Sequence, residues 1–176
     1  MEPFYQKNIR DKLGQVRQIA GCVSAVRETL GAMENRFKGL LREIASGVRA
    51  GKVRVEDASG YARGVQELSH GWWRQIGDGA NESAAVDGQF LRKTYRYHFY
   101  LLHRAREYAE GDAAAINPEL NDFEDACLCL HLGLADFAAV VTNDVPLLRC
   151  LRALNEMGFP GQARLRVWDT QRFSAG

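Results

Sequence analysis

With 176 residues, the chain is long enough for one domain that buries about 70% of its unfolded-state surface, and for a smaller appendage. Its 46% hydrophobic and 26% charged residues lie in the usual range for globular proteins, which argues against wholesale disorder. No apolar run approaches the roughly eighteen residues that a membrane span needs, and the first residues lack a signal-peptide core. We therefore expect a cytoplasmic protein without a membrane partner.

The net charge is only +1, but the charges are unevenly placed. Residues 1–54 carry eleven Lys or Arg against five acids, whereas residues 111–176 carry five against nine. This asymmetry would suit a protein whose acidic end binds cations and whose basic end attracts a polyanion. Two solvated faces of opposite bias explain the same counts, and the counts alone favour that simpler explanation.

Residues 1–110 are predicted to be mainly helical. Apolar residues recur at helical spacing between Gln6 and about Ser46. Four glycines within this stretch predict two helices or one kinked helix, because each glycine costs roughly 1 kcal/mol relative to Ala. The short alternating segment 51–55 predicts a strand. A second helix, capped by Asp57 or Ser59, is predicted to extend through Trp72.

A further helix is predicted from about Ser83 to Ala109, after a polar loop at 77–83. Bases and aromatics interleave along it, a composition also found on surfaces that bind single-stranded nucleic acid. Arg92, Lys93 and Arg96 are the candidate nucleic-acid contacts. An ordinary amphipathic helix with a solvated basic face explains the composition too, and we favour that interpretation.

Residues 111–176 have a different character. The pattern predicts helix 122–133, strand 137–142, helix 145–157 and strand 163–168, and we expect the first of these strands to be buried. Alternation of helix and strand is typical of a parallel sheet with right-handed crossovers. The predicted fold class is therefore α/β, with a mainly helical region 1–110 and an α/β region 111–176 in one continuous domain.

Three carboxylates in this second region form a candidate metal site. Asp122 and Asp125 are three residues apart and project from the same side of a helix. Asp144 follows the predicted strand, at the end where open α/β sheets carry their functional crevice. Thr142 can direct a hydroxyl into the same pocket, and acidic oxygens suit Mg²⁺ or Mn²⁺. Each motif alone is also a good helix cap or first-turn acid, and that structural role is the alternative.

The segments Asn121–Leu132 and Ala135–Leu148 resemble the second half of a PIN domain, through the order D-x-x-D-A and then V-T-N-D-x-x-L. The resemblance covers roughly residues 117–173. It implies a Rossmann-like nuclease that hydrolyses RNA with Mg²⁺ or Mn²⁺, and it implies metal-binding and catalytic roles for Asp122, Asp125 and Asp144. An inhibitor protein or a second copy of the chain are further expected partners.

The acidic first strand of that family has no counterpart near Met1, and Glu67 is the only match to its second acid. The alternative is therefore an inactive, PIN-like module that binds protein or RNA.

Four cysteines, Cys22, Cys127, Cys129 and Cys150, are expected to be reduced and to act mainly as small hydrophobic residues. Cys127, Cys129 and His131 form C-x-C-x-H, but on a helix Cys129 points away from the other two. Since a closed zinc site needs four convergent ligands, we favour packing over zinc binding.

Overall fold

The computed structural model describes residues 2–76, 88–112, 115–134, 139–158 and 164–169. In these ranges the elements are α1 (Glu2–Arg49), α2 (Ala58–Ile76), α3 (Gly88–Glu110), α4 (Leu120–Leu134), β1 (Ala139–Val141), α5 (Val145–Met157) and β2 (Arg166–Trp168). The chain divides into two compact units, Met1–Phe37 and Lys38–Gly176. Helix α1 contributes residues to both units. None of the helices in the described ranges is long and apolar enough to cross a membrane.

The prediction of an α/β, Rossmann-like fold is wrong. The order helix, strand, helix, strand is present at the carboxyl end, and β1 and β2 are parallel. However, the sheet has only these two strands in the described residues, each three residues long. The reason is that the preceding apolar segments have helical rather than alternating periodicity, so they supply helices and no further strands.

The two strands are also more exposed than a central parallel sheet requires. Ala139 pairs with Arg166, Val140 with Val167 and Val141 with Trp168. Ala139 is exposed and 46% of the Val141 surface is accessible, so the prediction of a buried strand at this place is wrong. Parallel sheets are normally covered on both faces. The short sheet therefore lies beside the helical core, where it contacts α5.

Helix α3 is the centre of the second unit and packs against α2, α4 and α5. Buried residues occur on all its sides and include Tyr95, Phe99, Tyr100, Leu101 and Ala105. Tyr61 of α2 stacks on Phe99 with ring centroids 4.8 Å apart. The aromatics of α3 thus form the core, and the prediction of a solvated basic face fails where Arg96 and Arg104 are buried with them.

Two local predictions for the first 60 residues are corrected by the backbone. Residues 51–55 form a turn instead of a strand, because Gly51 adopts a φ of 70° and the amides of Lys52 and Val53 return to the carbonyl of Gly47. α1 is a single helix across its glycines, so of the two predicted alternatives the one with two separate helices is wrong. Asp57 caps α2 as predicted, accepting from the amide of Gly60 at 2.8 Å. The predicted loop 77–83 and the start of the next predicted helix lie outside the described residues.

Close contact between α3 and α4 depends on Gly133. A Cβ atom at this position would lie 2.1 Å from the carbonyl oxygen of Lys93, and that neighbour is backbone that cannot rotate away. Gly71 of α2 provides a contrast, because nothing lies within 4 Å of a Cβ placed there.

We expect Gly133→Ala to lower the free energy of unfolding by about 2 kcal/mol or more, because the added methyl forces the two helices apart. The matched control Gly71→Ala should be neutral or stabilising by up to about 1 kcal/mol, since Ala is the better helix former. Urea unfolding followed by circular dichroism measures both. Equal stability of the two variants would contradict the close approach of the helices.

Candidate functional site

The acids predicted to bind metal are located by α4, β1 and α5, close to one face of α3. Asp122 lies in the first turn of α4 and is 2% exposed. Asp125 follows one turn later and is half-buried. Asp144 is the N-cap residue of α5, three residues after the end of β1. We call Asp122, Asp125 and Asp144 the acidic cluster.

Both oxygens of Asp122 accept hydrogen bonds from protein groups. Oδ1 accepts from Arg104 Nε at 2.7 Å and from the Tyr100 hydroxyl at 3.4 Å. Oδ2 accepts from the Tyr108 hydroxyl at 2.6 Å and from the amide of Glu119 at 2.8 Å. A carboxylate with this many donors is held firmly in one orientation. To bind a metal ion, Asp122 would have to give up part of this set of bonds.

Arg104 is the cationic partner of this cluster and is 8% exposed. Besides Asp122, its guanidinium donates to Glu107 and to the Tyr108 hydroxyl, and it lies over the Tyr108 ring. Burial by itself would lower the pKa of Arg104, but its bonds with Glu107 and Asp122 raise that pKa above the ordinary value. Arg104 is therefore a permanent positive charge, paired within the protein.

Glu107 extends the network to α5. It accepts from Arg149 Nε at 3.0 Å, and His103 Nε2 lies 3.8 Å from the same oxygen. Burial lowers the pKa of His103, so its neutral form is favoured although Glu107 acts in the opposite direction. Charges on α3 thus connect α4 on one side with α5 on the other.

The surroundings of Asp125 disturb its ionisation. Burial, followed by the charge of Asp144 and more weakly that of Asp122, raises its pKa from 3.8 to about 6. The Tyr100 hydroxyl donates to Asp125 Oδ2 at 3.2 Å and partly offsets this rise. Burial, followed by the charges of Asp125 and Asp122, raises the pKa of Tyr100, which keeps its proton and remains a donor.

Asp144 and Thr142 form the strand-to-helix turn. Asp144 Oδ1 accepts from the amide of Leu147 at 2.8 Å, with a proline in the first turn of α5. Thr142 Oγ1 accepts from the amide of Asp144 at 3.1 Å. The Thr142 hydroxyl thus holds the turn, and Asp144 has the capping role that was the alternative to metal binding.

The three acids are therefore brought within electrostatic range of one another, but their oxygens are not equally available. Among the described residues, no group of three or more His, Cys, Asp or Glu side chains is arranged to hold a metal ion. Protein donors already occupy Asp122, and one oxygen each of Asp125 and Asp144 is bonded. The predicted three-acid Mg²⁺ or Mn²⁺ site does not fit this donor set.

Two of the candidate nucleic-acid residues, Lys93 and Arg96, contact the carboxyl end of α4. Arg96 is buried, and its Nη1 donates to the carbonyl of Leu132 at 2.6 Å. Lys93 Nζ donates to the carbonyl of Leu134 at 3.2 Å, whereas Arg92 is exposed. Basic groups at a helix C-terminus satisfy its last carbonyls and oppose the negative end of the dipole. Lys93 and Arg96 thus have structural partners at the end of α4.

Sequence reasoning missed the residues of α3 that organise this cluster. Tyr100, Arg104 and Tyr108 follow one another at intervals of four residues, so they lie on one face of the helix. This spacing is visible in the sequence. The contacts of these three side chains with Asp122 could not be read from the sequence, because they depend on how α3 and α4 cross.

Comparison of the chain with protein-family models, with curated proteins and with solved structures finds no significant match. The resemblance to PIN domains therefore stays a prediction based on the quoted residues.

We expect Asp122→Asn to lower the free energy of unfolding by about 3 kcal/mol or more, because Arg104 would remain buried without its full counter-charge. Asp144→Ala is the matched comparison and should cost about 1 kcal/mol, the loss of one helix cap. Chemical denaturation at neutral pH measures both values. A loss for Asp122→Asn no greater than that for Asp144→Ala would show that the ion pair is not the main contact.

Asp125→Asn should have the opposite effect and raise the free energy of unfolding. The pKa of Asp125 is higher in the folded protein than the ordinary value of 3.8, so the ionised carboxylate disfavours folding. The protonated form stabilises the fold fully at low pH, and this stabilisation is lost as the pH rises through about 6. Asp125→Asn should therefore exceed the wild type in unfolding free energy by about 1–2 kcal/mol at pH 8.

That advantage should shrink as the pH falls from 8 towards 4, when wild-type Asp125 becomes protonated. Glu124→Gln, which makes the same change from acid to amide at an exposed position of the same helix, is the control. Unfolding curves of all three proteins across this range provide the measurement. An Asp125→Asn variant less stable than wild type at pH 8 would contradict the assignment.

Proposed function

We propose that this chain is a non-catalytic protein-interaction module. The observation that carries the proposal concerns the part of α1 that belongs to the first unit, residues 2–37. None of the described side chains from Arg27 to Arg36 is buried, and half of the surface of Leu30 and of Met33 is accessible, at 50% and 51%. A helix within a protein gains most of its stability by packing an apolar face. Exposed apolar side chains on such a helix suit docking to another protein.

The arrangement of the acidic cluster supports the non-catalytic part of the proposal. Arg104 compensates the charge of Asp122 at 2.7 Å, and the capping bond of Asp144 holds the start of α5. These contacts give both acids structural roles. The positions of Lys93 and Arg96 at the end of α4 also favour a protein partner over RNA, because these bases already neutralise helix carbonyls.

Metal-dependent RNA hydrolysis is the second candidate function, and one observation favours it. The pKa of Asp125 is raised to about 6 beside Asp144, and perturbed carboxylates cluster at active sites. A divalent ion would relieve the repulsion between these two acids. When bound, such an ion activates water for attack on a phosphodiester. Asp125 and Asp144 are the residues that would hold it.

Titration with Mn²⁺ at pH 8, followed by calorimetry, distinguishes the two candidates. The interaction module should give no saturable heat up to about 1 mM Mn²⁺, because two partly bonded carboxylates bind weakly. Saturable binding below that concentration that disappears in Asp125→Asn, together with Mg²⁺-dependent cleavage of RNA, would favour the nuclease instead. Asp125→Asn is a suitable variant because its amide oxygen can still accept from Tyr100.

A further inference from the structure

The exposed apolar residues of α1 belong to a seven-residue repeat. In heptad notation, Leu30 is an a position and Met33 the following d position. Going towards the amino end in steps of seven, the a positions are Val23, Val16 and Ile9, and the d positions are Val26, Ile19 and Lys12. The seam defined by Ile9, Val16, Ile19, Val23, Val26, Leu30 and Met33 is apolar, and Lys12 is its single interruption. A sustained 3.5-residue period is the pattern of a coiled coil.

The positions of the glycines in the same segment are consistent with this heptad assignment. Gly14 and Gly21 are f positions and Gly31 is a b position, so all three lie outside the seam. Since glycine weakens a helix, a segment with three of them depends on contacts made along its seam. The expectation of two helices or one kinked helix did not take the heptad positions of these glycines into account.

From this repeat we infer that a second copy of this chain occupies the seam, so that α1 pairs with α1 in a coiled-coil dimer. The inference rests on the proposed interaction function and names its partner. Two identical seams are complementary by symmetry, as in most homodimers.

The size of the seam is adequate for a dimer. Each aliphatic side chain can bury roughly 60–120 Å². Seven such residues from each of two copies would bury about 800–1,700 Å², which overlaps the range of about 1,200–2,000 Å² found in stable complexes.

The charges beside the seam allow self-pairing. Coiled coils select unlike partners mainly through charged e and g positions. Between residues 13 and 34 only two of these positions are charged, Arg27 and Glu34, and their signs are opposite. Over residues 2–37 there are six bases and four acids, so the segment has no strong net charge. A run of one sign, which would require an oppositely charged partner, does not occur there.

Sedimentation equilibrium of the full chain tests this inference. As the concentration rises from about 1 to 100 µM, the average mass of the wild type should approach twice that of one chain, with a dissociation constant of about 10 µM or lower. The double variant Leu30→Glu/Met33→Glu should raise that constant at least about 100-fold, because two charges per chain enter the apolar seam. Both side chains are half exposed, so the monomer should remain folded.

The matched control is Ala32→Glu/Asn35→Glu. It adds the same charges in the same stretch of helix, but at the exposed c and f positions, and should remain dimeric. A wild type that is monomeric at about 100 µM would overturn the inference, as would a dimer equally stable in both variants. Neither outcome concerns Mn²⁺ binding or RNA cleavage, which test the proposed function separately.

Discussion

The ion pair between Arg104 and Asp122 is the interaction on which the second unit depends. It joins the central helix α3 to the first turn of α4 at 2.7 Å, and both side chains are at least nine-tenths buried. A buried pair of this kind adds little net stability compared with apolar packing, but removal of one partner is costly. Tyr100, Tyr108 and the Glu119 amide satisfy the remaining lone pairs of the carboxylate. The main effect of the ion pair is therefore to fix the angle at which α4 crosses α3.

The same principle explains the other polar groups in the core. Ser69 and His98 are buried together with 2.8 Å between the hydroxyl and Nδ1, and burial lowers the pKa of His98 to about 4. Arg49 donates to the carbonyls of Tyr108 and Ala109 at the end of α3, as Arg96 does at the end of α4. Each basic side chain thus satisfies helix carbonyls that have no partner within their own helix. Polar residues on the helices connect one element to the next.

Local signals in the sequence predicted the elements better than they predicted the architecture. Helix α5 begins and ends where predicted, because Asp144 caps it and Gly158 at a φ of 59° ends it. The two parallel strands also occur where alternation with helices indicated them. The extent of the sheet was overestimated, because a three-residue apolar run gives the same signal in a large sheet and in a minimal one.

The sequence also did not predict which of the candidate side chains are buried. Arg92, Lys93 and Arg96 look alike in the chain, yet one is exposed and another is buried against α4. The three candidate acids differ in the same way: Asp122 is paired with Arg104, Asp144 caps a helix, and burial raises the pKa of Asp125. The spacing of these acids in the sequence predicted that they lie close together. The hydrogen-bond donors on α3 decide which of them could take part in chemistry.

The first unit shows how stability can depend on association. Its helix has glycines at three outer heptad positions and apolar residues along the seam, so local propensity opposes the helix while pairing supports it. In a homodimer of this type, the stability of the helix cannot be separated from the concentration of the chain. The second unit has its own buried core around α3 and does not require that contribution. In the proposed dimer, helix α1 therefore combines a segment that is stabilised within the chain with one that the second copy stabilises.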